Sequence, residues 1–243
     1  MRYQVLGQTV PAVEMVLNKG EQVYTQSGGM FYQTEGIQMD TNARGGLGAS
    51  LGRMFSGESI FMNTYTALAD NVTIAFSSTV PGCVLPINLA NTPGGITMQK
   101  GAFLCAQNNV ELKVEFTKKF SAGLFGGEGF ILQHASGNGL LFLEIDGDQI
   151  VKTLGDGEVL KVDTGNVVAF ESTVKYEIES IKGLKNIFLG GEGIFNTIIT
   201  GPGKVTVHTM PIARLADSII PFLPTNTNNN GDAASSIIGM FNK

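Results

Sequence analysis

Two stretches of the chain alternate apolar and polar residues without a break: Val110-Glu111-Leu112-Lys113-Val114-Glu115-Phe116 and Val174-Lys175-Tyr176-Glu177-Ile178-Glu179. A period of two places the apolar side chains on one face of a half-buried antiparallel strand. Gly157 to Asp163 alternates in the same way after a Gly-Asp-Gly turn signal, and Ile37-Gln38-Met39-Asp40 is a weaker instance. Near the start, the pattern predicts strands around Gln4-Val5, across Ala12 to Leu17 and through Val23-Tyr24, with a turn at Asn18-Lys19-Gly20. A helical period appears once. Ile212, Leu215 and Ile219 share a helical face behind Pro211, and Pro221 and Pro224 end the segment. No stretch has the βαβ alternation of a parallel sheet. The pattern predicts an all-β protein with one short C-terminal helix.

A phrase of apolar, small, Gly, Glu, small, apolar, apolar residues occurs three times: Phe55 to Phe61, Phe125 to Ile131 and Leu189 to Phe195. Its glutamates are Glu58, Glu128 and Glu192, spaced by 70 and then 64 residues. Each copy follows a glycine and an apolar run, at Gly29, Gly101 and Gly165. Copies two and three also lead into Gly137-Asn138-Gly139 and Gly201-Pro202-Gly203, a feature the first copy lacks. Phrase, spacing and flanks together predict three pseudo-symmetric β-sandwich repeats of about 65 residues each. Their approximate bounds are 1–80, 81–146 and 147–210, forming a single β-domain over 1–210. The helix follows at 211–224, then a polar linker and an apolar tail at 225–243. Residues 77–100 read as a link between repeats, with turns at Pro81-Gly82 and Pro93-Gly94-Gly95. Ile145-Asp146-Gly147-Asp148 reads as a hairpin turn.

Composition narrows the class. A hydrophobic content of 43% supports a substantial core, and the 32 glycines are spread between strands as turns and bulges. A net charge of −5 argues against a general binder of phosphate backbones, although Lys113, Lys118, Lys119 and Lys175 could form a local patch. Two cysteines make no disulfide framework and suit a reducing compartment. The N-terminal residues lack the apolar core of a signal peptide, and no stretch is long enough to span a membrane, so a cytoplasmic protein is expected.

Candidate chemistry centres on the recurring carboxylates. Glu58, Glu128 and Glu192 follow Gly57, Gly127 and Gly191, and a carboxylate among glycines can accept the backbone N–H groups of a tight turn or bulge. Threefold repetition spreads such groups around an axis instead of pairing two in one cleft, so these six residues read as a structural motif. Gly46, Gly48 and Gly52 suggest a nucleotide loop, but no apolar strand precedes them and no Gly-Lys-Ser/Thr follows. That loop reads as a connector, with a phosphate cradle using Arg44 or Arg53 as the other reading. His134 and His208, taken at the same phase of the second and third repeats, read as half-exposed strand positions; they are too few for a metal site. Cys83 and Cys105 read as inert core thiols. No catalytic, cofactor-binding or metal-binding set is expected.

The spaced motifs, from Ser56-Gly57-Glu58-Ser59-Ile60-Phe61 through Gly126-Gly127-Glu128-Gly129-Phe130-Ile131 to Gly191-Glu192-Gly193 and Gly201-Pro202-Gly203, resemble bacterial relatives of the "altered inheritance of mitochondria 24" family. The segment Ile212 to Pro224 resembles that family as well. The resemblance implies a fold like the tryptophan RNA-binding attenuator protein, a short double-stranded β-helix or sandwich unit, here repeated. It implies no enzyme activity, no catalytic residues and no cofactor. The expected function is a non-catalytic oligomeric scaffold. A small-ligand or RNA-binding module is the alternative by fold analogy, and an enzyme is less favoured. Open strand edges call for a homo-oligomer, a trimer or ring-like assembly, and the apolar tail Ala233 to Phe241 is expected to dock.

Overall fold

The computed structural model describes residues 1–42, 62–118, 129–180 and 195–223. The motif residues Gly57, Glu58, Gly127, Glu128, Gly191 and Glu192 lie outside the described residues, as do the Gly45 to Met54 loop and the tail Ala233 to Phe241.

Across the described residues the protein is all-β with one short C-terminal helix. The strands are β1 (Arg2–Leu6), β2 (Ala12–Leu17), β3 (Gln22–Gln26), β4 (Met30–Gln33), β5 (Ile37–Asn42), β6 (Met62–Ala67) and β7 (Val72–Ser77). They continue with β8 (Gly82–Asn88), β9 (Ile96–Gln99), β10 (Phe103–Gln107), β11 (Val110–Lys118), β12 (Phe130–Gly137) and β13 (Leu140–Asp146). The last set is β14 (Gln149–Leu154), β15 (Val159–Asp163), β16 (Val167–Glu171), β17 (Lys175–Ser180), β18 (Phe195–Thr200) and β19 (Gly203–His208), followed by helix α1 (Ile212–Ile219). The described strands form four antiparallel sheets, in the orders β1-β2-β7-β4, β5-β6-β3-β10-β13-β8, β11-β12-β9-β16-β19-β14 and β15-β18-β17.

One pairing scheme occurs three times along the chain. β7 lies between β2 and β4, β13 between β8 and β10, and β19 between β14 and β16. Likewise β6 lies between β3 and β5, β12 between β9 and β11, and β18 between β15 and β17. The register slips at the same place each time: between Met30 and Tyr32, between Phe103 and Cys105, and between Val167 and Ala169. Such a slip is a bulge, which bends a strand and increases its twist. Buried polar side chains also correspond, with Asn63 on β6, Gln133 on β12 and Thr197 on β18.

Three apolar cores lie between successive sheets. Val13, Met15, Ile74, Phe76 and Phe142 fill the first, Phe103, Leu141, Leu143, Met98 and Val168 the second, and Phe130, Leu132, Phe170, Ile199 and Val205 the third. The two inner sheets are therefore covered on both faces. On β10, Leu104 and Cys105 join the first core while Phe103 and Ala106 join the second. A strand buried on both faces reads as a continuous apolar run, which is why Phe103-Leu104-Cys105-Ala106 shows no alternation.

Two expectations are corrected. Residues 77–100 are not a link, since β8 and β9 lie there. Pro86 obscures β8, yet it is tolerated because β8 is an edge strand with one side free of the ladder. Gly82 opens that strand where a Cβ would fall 1.8 Å from the Ile145 carbonyl oxygen. Nor is the Gly147 turn a hairpin. Gly147 has φ of 69°, and its N–H donates to the Pro81 carbonyl at 2.8 Å. The turn carries the chain from β13 in one sheet to β14 in the next, where β14 pairs with β19. A turn signal reports a local reversal; it does not name the partner of the strand that follows.

Phe142 is fully buried in the first core, with the Tyr3 ring edge-on at 4.9 Å. Replacing Phe142 with Ala should cost about 3–5 kcal/mol, from lost transfer energy plus the cavity left behind. Urea unfolding checks this, and a loss below about 1 kcal/mol would show that the first two sheets are not held together there.

Candidate functional site

A cleft of about 700 Å³ opens between the strand ends and helix α1. Its walls come from distant parts of the chain: the turn Lys100–Ala102 before β10, the start of β12 at Phe130 and Ile131, Val168 on β16, His208 at the end of β19, Ile212, Ala213 and Ala216 on α1, and Ile220 just after it.

Helix α1 is held over the sheets by polar contacts. Pro211 stands at its N-cap and gives no side-chain cap. Asp146, at the end of β13, takes that role by accepting the Ile212 N–H at 2.9 Å. Arg214 donates to Asp163 Oδ2 at 3.2 Å and to Asn166 Oδ1 at 3.4 Å. No residue of α1 is buried, and Ile212 and Ile220 are about half exposed, at 52% and 49%. Of the apolar face predicted from the sequence, Ile212 lines the cleft together with Ala213, Ala216 and Ile220, whereas Leu215 and Ile219 are not among its walls.

The polar wall is built around His208, which is only 7% exposed. Its Nε2 stands 2.8 Å from the Gly165 carbonyl oxygen, so Nε2 carries the proton and donates. Nδ1 is buried without a hydrogen-bond partner and sits 3.9 Å from Asp146 Oδ2. Burial pushes the Asp146 carboxyl above its ordinary range, although the neighbouring histidine and the Ile212 N–H offset part of the rise. Burial also raises Glu144, against the N–H and hydroxyl of Thr79, which donate to Glu144 Oε2 at 2.9 and 3.1 Å. Glu144 and Asp146, both raised by burial, and the buried His208 thus line a cleft that is otherwise largely apolar. That set suits a small ligand with N–H or O–H groups. Among the described residues, no cluster of three His, Cys, Asp or Glu side chains could hold a metal ion.

The sequence candidates fall variously. Gly129, Phe130 and Ile131, the end of the second phrase, line the cleft. The two histidines do not share a phase. His134 is in mid-β12, half-buried, with Nδ1 3.3 Å from the Thr97 hydroxyl and 3.9 Å from Glu115. His208 is buried at the end of β19, sixteen residues after Glu192, whereas His134 is six after Glu128. Cys105 is fully buried and its thiol is pushed well up by burial; Cys83 is half-buried and raised for the same reason. Both behave as inert core thiols. Lys113 sits 3.3 Å from Glu111, and carboxylates interleave with the lysines on β11 and β17, so both signs share these strands. Lys119 lies outside the described residues. Asp146, Glu144 and Lys100 were not legible as site residues, because they reach the cleft from the ends of two strands, β13 and β9, that lie far apart in the sequence.

Residues 3–210 match the family described as mitochondrial biogenesis AIM24. The chain belongs to the AIM24 family. Among its relatives, an uncharacterized protein of Streptococcus pyogenes serotype M6 is 30% identical over 226 residues, covering 90% of this chain and 89% of the relative. The crystal structure of a Streptococcus pyogenes protein superposes with a TM-score of 0.75 at 26% identity, covering 91% of this chain and 99% of that one. The AIM24 match stops at residue 210, one residue before Pro211 opens the α1 segment, so the helix that walls the cleft lies beyond it.

The raised carboxyls set a pH dependence. Their folded state binds protons more readily than the unfolded chain, so stability falls as pH climbs from the ordinary glutamate value of 4.5 through the raised one. Glu144→Gln keeps an acceptor for Thr79 and removes that titration. Between acid and neutral pH the wild type should lose more stability than the variant, read from urea midpoints; parallel pH profiles for the two proteins would contradict the assignment.

Proposed function

We propose that this AIM24 protein is a non-catalytic scaffold, made of three copies of one β-unit and working as a homo-oligomer. The observation that carries this reading is the unpartnered apolar surface of α1 and the turn after it. Ile212, Ile219 and Ile220 are about half exposed there, and Phe222 is 85% exposed. Large apolar side chains grouped on one element mark contact surfaces in folded proteins. The threefold pairing scheme and its shared register slip support the three-unit reading. Free Cys83 and Cys105 fit a cytoplasmic setting, and no helix among the described residues is long and apolar enough to cross a membrane. The mixed charges on β11 and β17 favour protein over RNA as the partner.

A second reading rests on the unpartnered Nδ1 of His208, which favours capture of a small uncharged ligand in the cleft. Two measurements separate the readings. Light scattering at micromolar concentration should give a mass well above 25.8 kDa; a single species at that mass rejects the scaffold assembly. A thermal-shift screen with nucleosides, amino acids and amides should leave the midpoint unchanged, whereas a saturable rise that His208→Phe abolishes establishes the ligand reading instead.

A further inference from the structure

The sheets have a direction. In the second sheet β3 pairs with β10, and in the third β9 pairs with β16. With β2–β7, β8–β13 and β14–β19 taken as three six-strand sets, the second strand of one set joins the third strand of the next in both junctions. Two strands of these classes remain over: β4, the third strand of the first set, and β15, the second strand of the last. Among the described residues β4 pairs only with β7 and β15 only with β18, each at the edge of its sheet, and they are not paired with each other.

The exposure of β4 matches that position. β10 and β16 are buried from Phe103 to Ala106 and from Val167 to Phe170. β4 has a comparable apolar run, Met30-Phe31-Tyr32, yet all four of its residues are exposed, Phe31 at 61%. On β15, Val159 is 59% exposed, while the corresponding strands β3 and β9 are largely buried. An exposed, apolar, unpaired edge is a template for another strand, and natural edges are normally blunted by charge, bulge or cover.

We infer that β4 of one chain pairs antiparallel with β15 of a second copy, head to tail, resting on the oligomeric reading above. The joined strand order, β17-β18-β15-β4-β7-β2, reproduces the set order of β5-β6-β3-β10-β13-β8 and of β11-β12-β9-β16-β19-β14. The edge is thus completed by the same kind of junction the chain already uses twice. Because the two edges differ, the interface is heterologous, and repeating it gives a ring or an open chain of protomers.

The internal junctions also fix the register. Cys105 faces Thr25, and Ala169 faces Met98; Ala106 faces Tyr24, and Phe170 faces Thr97. Tyr32 follows the register slip as Cys105 and Ala169 do. Val162 lies opposite Thr197, as Thr25 lies opposite Asn63 and Met98 opposite Gln133. The intermolecular pairs are therefore Tyr32 with Val162, and Gln33 with Lys161. Tyr32 is already held by its hydroxyl, which donates to Glu14 on β2, so the β4 edge is pre-ordered.

Gln33 and Lys161 are both exposed, which makes cysteine at either position compatible with folding. The test mixes two full-length chains in a Cys83→Ala background, one carrying Gln33→Cys and the other Lys161→Cys, under mild oxidation. Directly opposed residues stand about 5 Å apart, within disulfide reach. Most protein should become a covalent dimer in the mixture, and neither chain alone should do so. Val159→Cys, two residues out of register, should react with Gln33→Cys at least tenfold more slowly. Dimers forming equally within each single variant, or a disulfide closing inside a monomer that carries both cysteines, overturn the proposal. If scattering shows an assembly but the mixture does not crosslink, this interface is wrong and the scaffold reading stands with another surface. A monomer by scattering overturns both.

Discussion

The structure depends on the main-chain pairing between β3 and β10 and between β9 and β16. β10 is buried on both faces, so its N–H and C=O groups cannot turn to water; β3 and β13 supply their partners. Side chains reinforce the β3–β10 junction. The Thr25 hydroxyl donates to the Leu104 carbonyl at 2.6 Å, and the Gln26 amide donates to the Phe103 carbonyl at 3.1 Å. Tyr24 stacks on Phe103 at 5.5 Å and sends its hydroxyl to the Val110 carbonyl. Because the apolar residues of β10 and β16 are divided between two cores each, the cores share strands and cannot loosen independently.

That constraint also places the cleft. To move from one sheet to the next, the chain turns at Lys100–Ala102 before β10 and at Thr164–Asn166 before β16. These tight turns bring backbone carbonyls to the same end of the molecule, among them Gly165, which holds His208. The end of β13 arrives beside them with Glu144 and Asp146, and Asp146 anchors the helix that walls the cleft. The polar character of the site thus follows from the junctions, while its apolar lining is shared between the strand ends, at Phe130, Ile131 and Val168, and α1.

Local features were legible to different depths. The alternation at Val110 to Phe116 and at Lys175 to Glu179 marks β11 and β17, and the Ile212, Leu215, Ile219 face marks the start of α1, although the expected segment 211–224 runs past its end at Ile219. Cys105 was legible as a buried thiol from its apolar neighbours. β8 was hidden because Pro86 and flanking glycines imitate a link, and only its place at a sheet edge explains the proline. His208 was read as half-exposed because its own strand alternates; its burial comes from Gly165, Asp146 and α1, which the local pattern does not include.

The sequence by itself determined the strands whose side chains alternate, which face of each is apolar and the segment in which helix α1 begins. These are properties of a few neighbouring residues, set by side-chain period and by the dihedral limits of proline and glycine. Tertiary structure decided which strand pairs with which, that the Gly147 turn crosses between sheets, and that Glu144, Asp146 and His208 share a cleft with α1. Any strand offers the same N–H and C=O groups to any other, so partner choice is settled only when long loops close and apolar faces bury against one another. A short stretch of sequence contains no record of that competition.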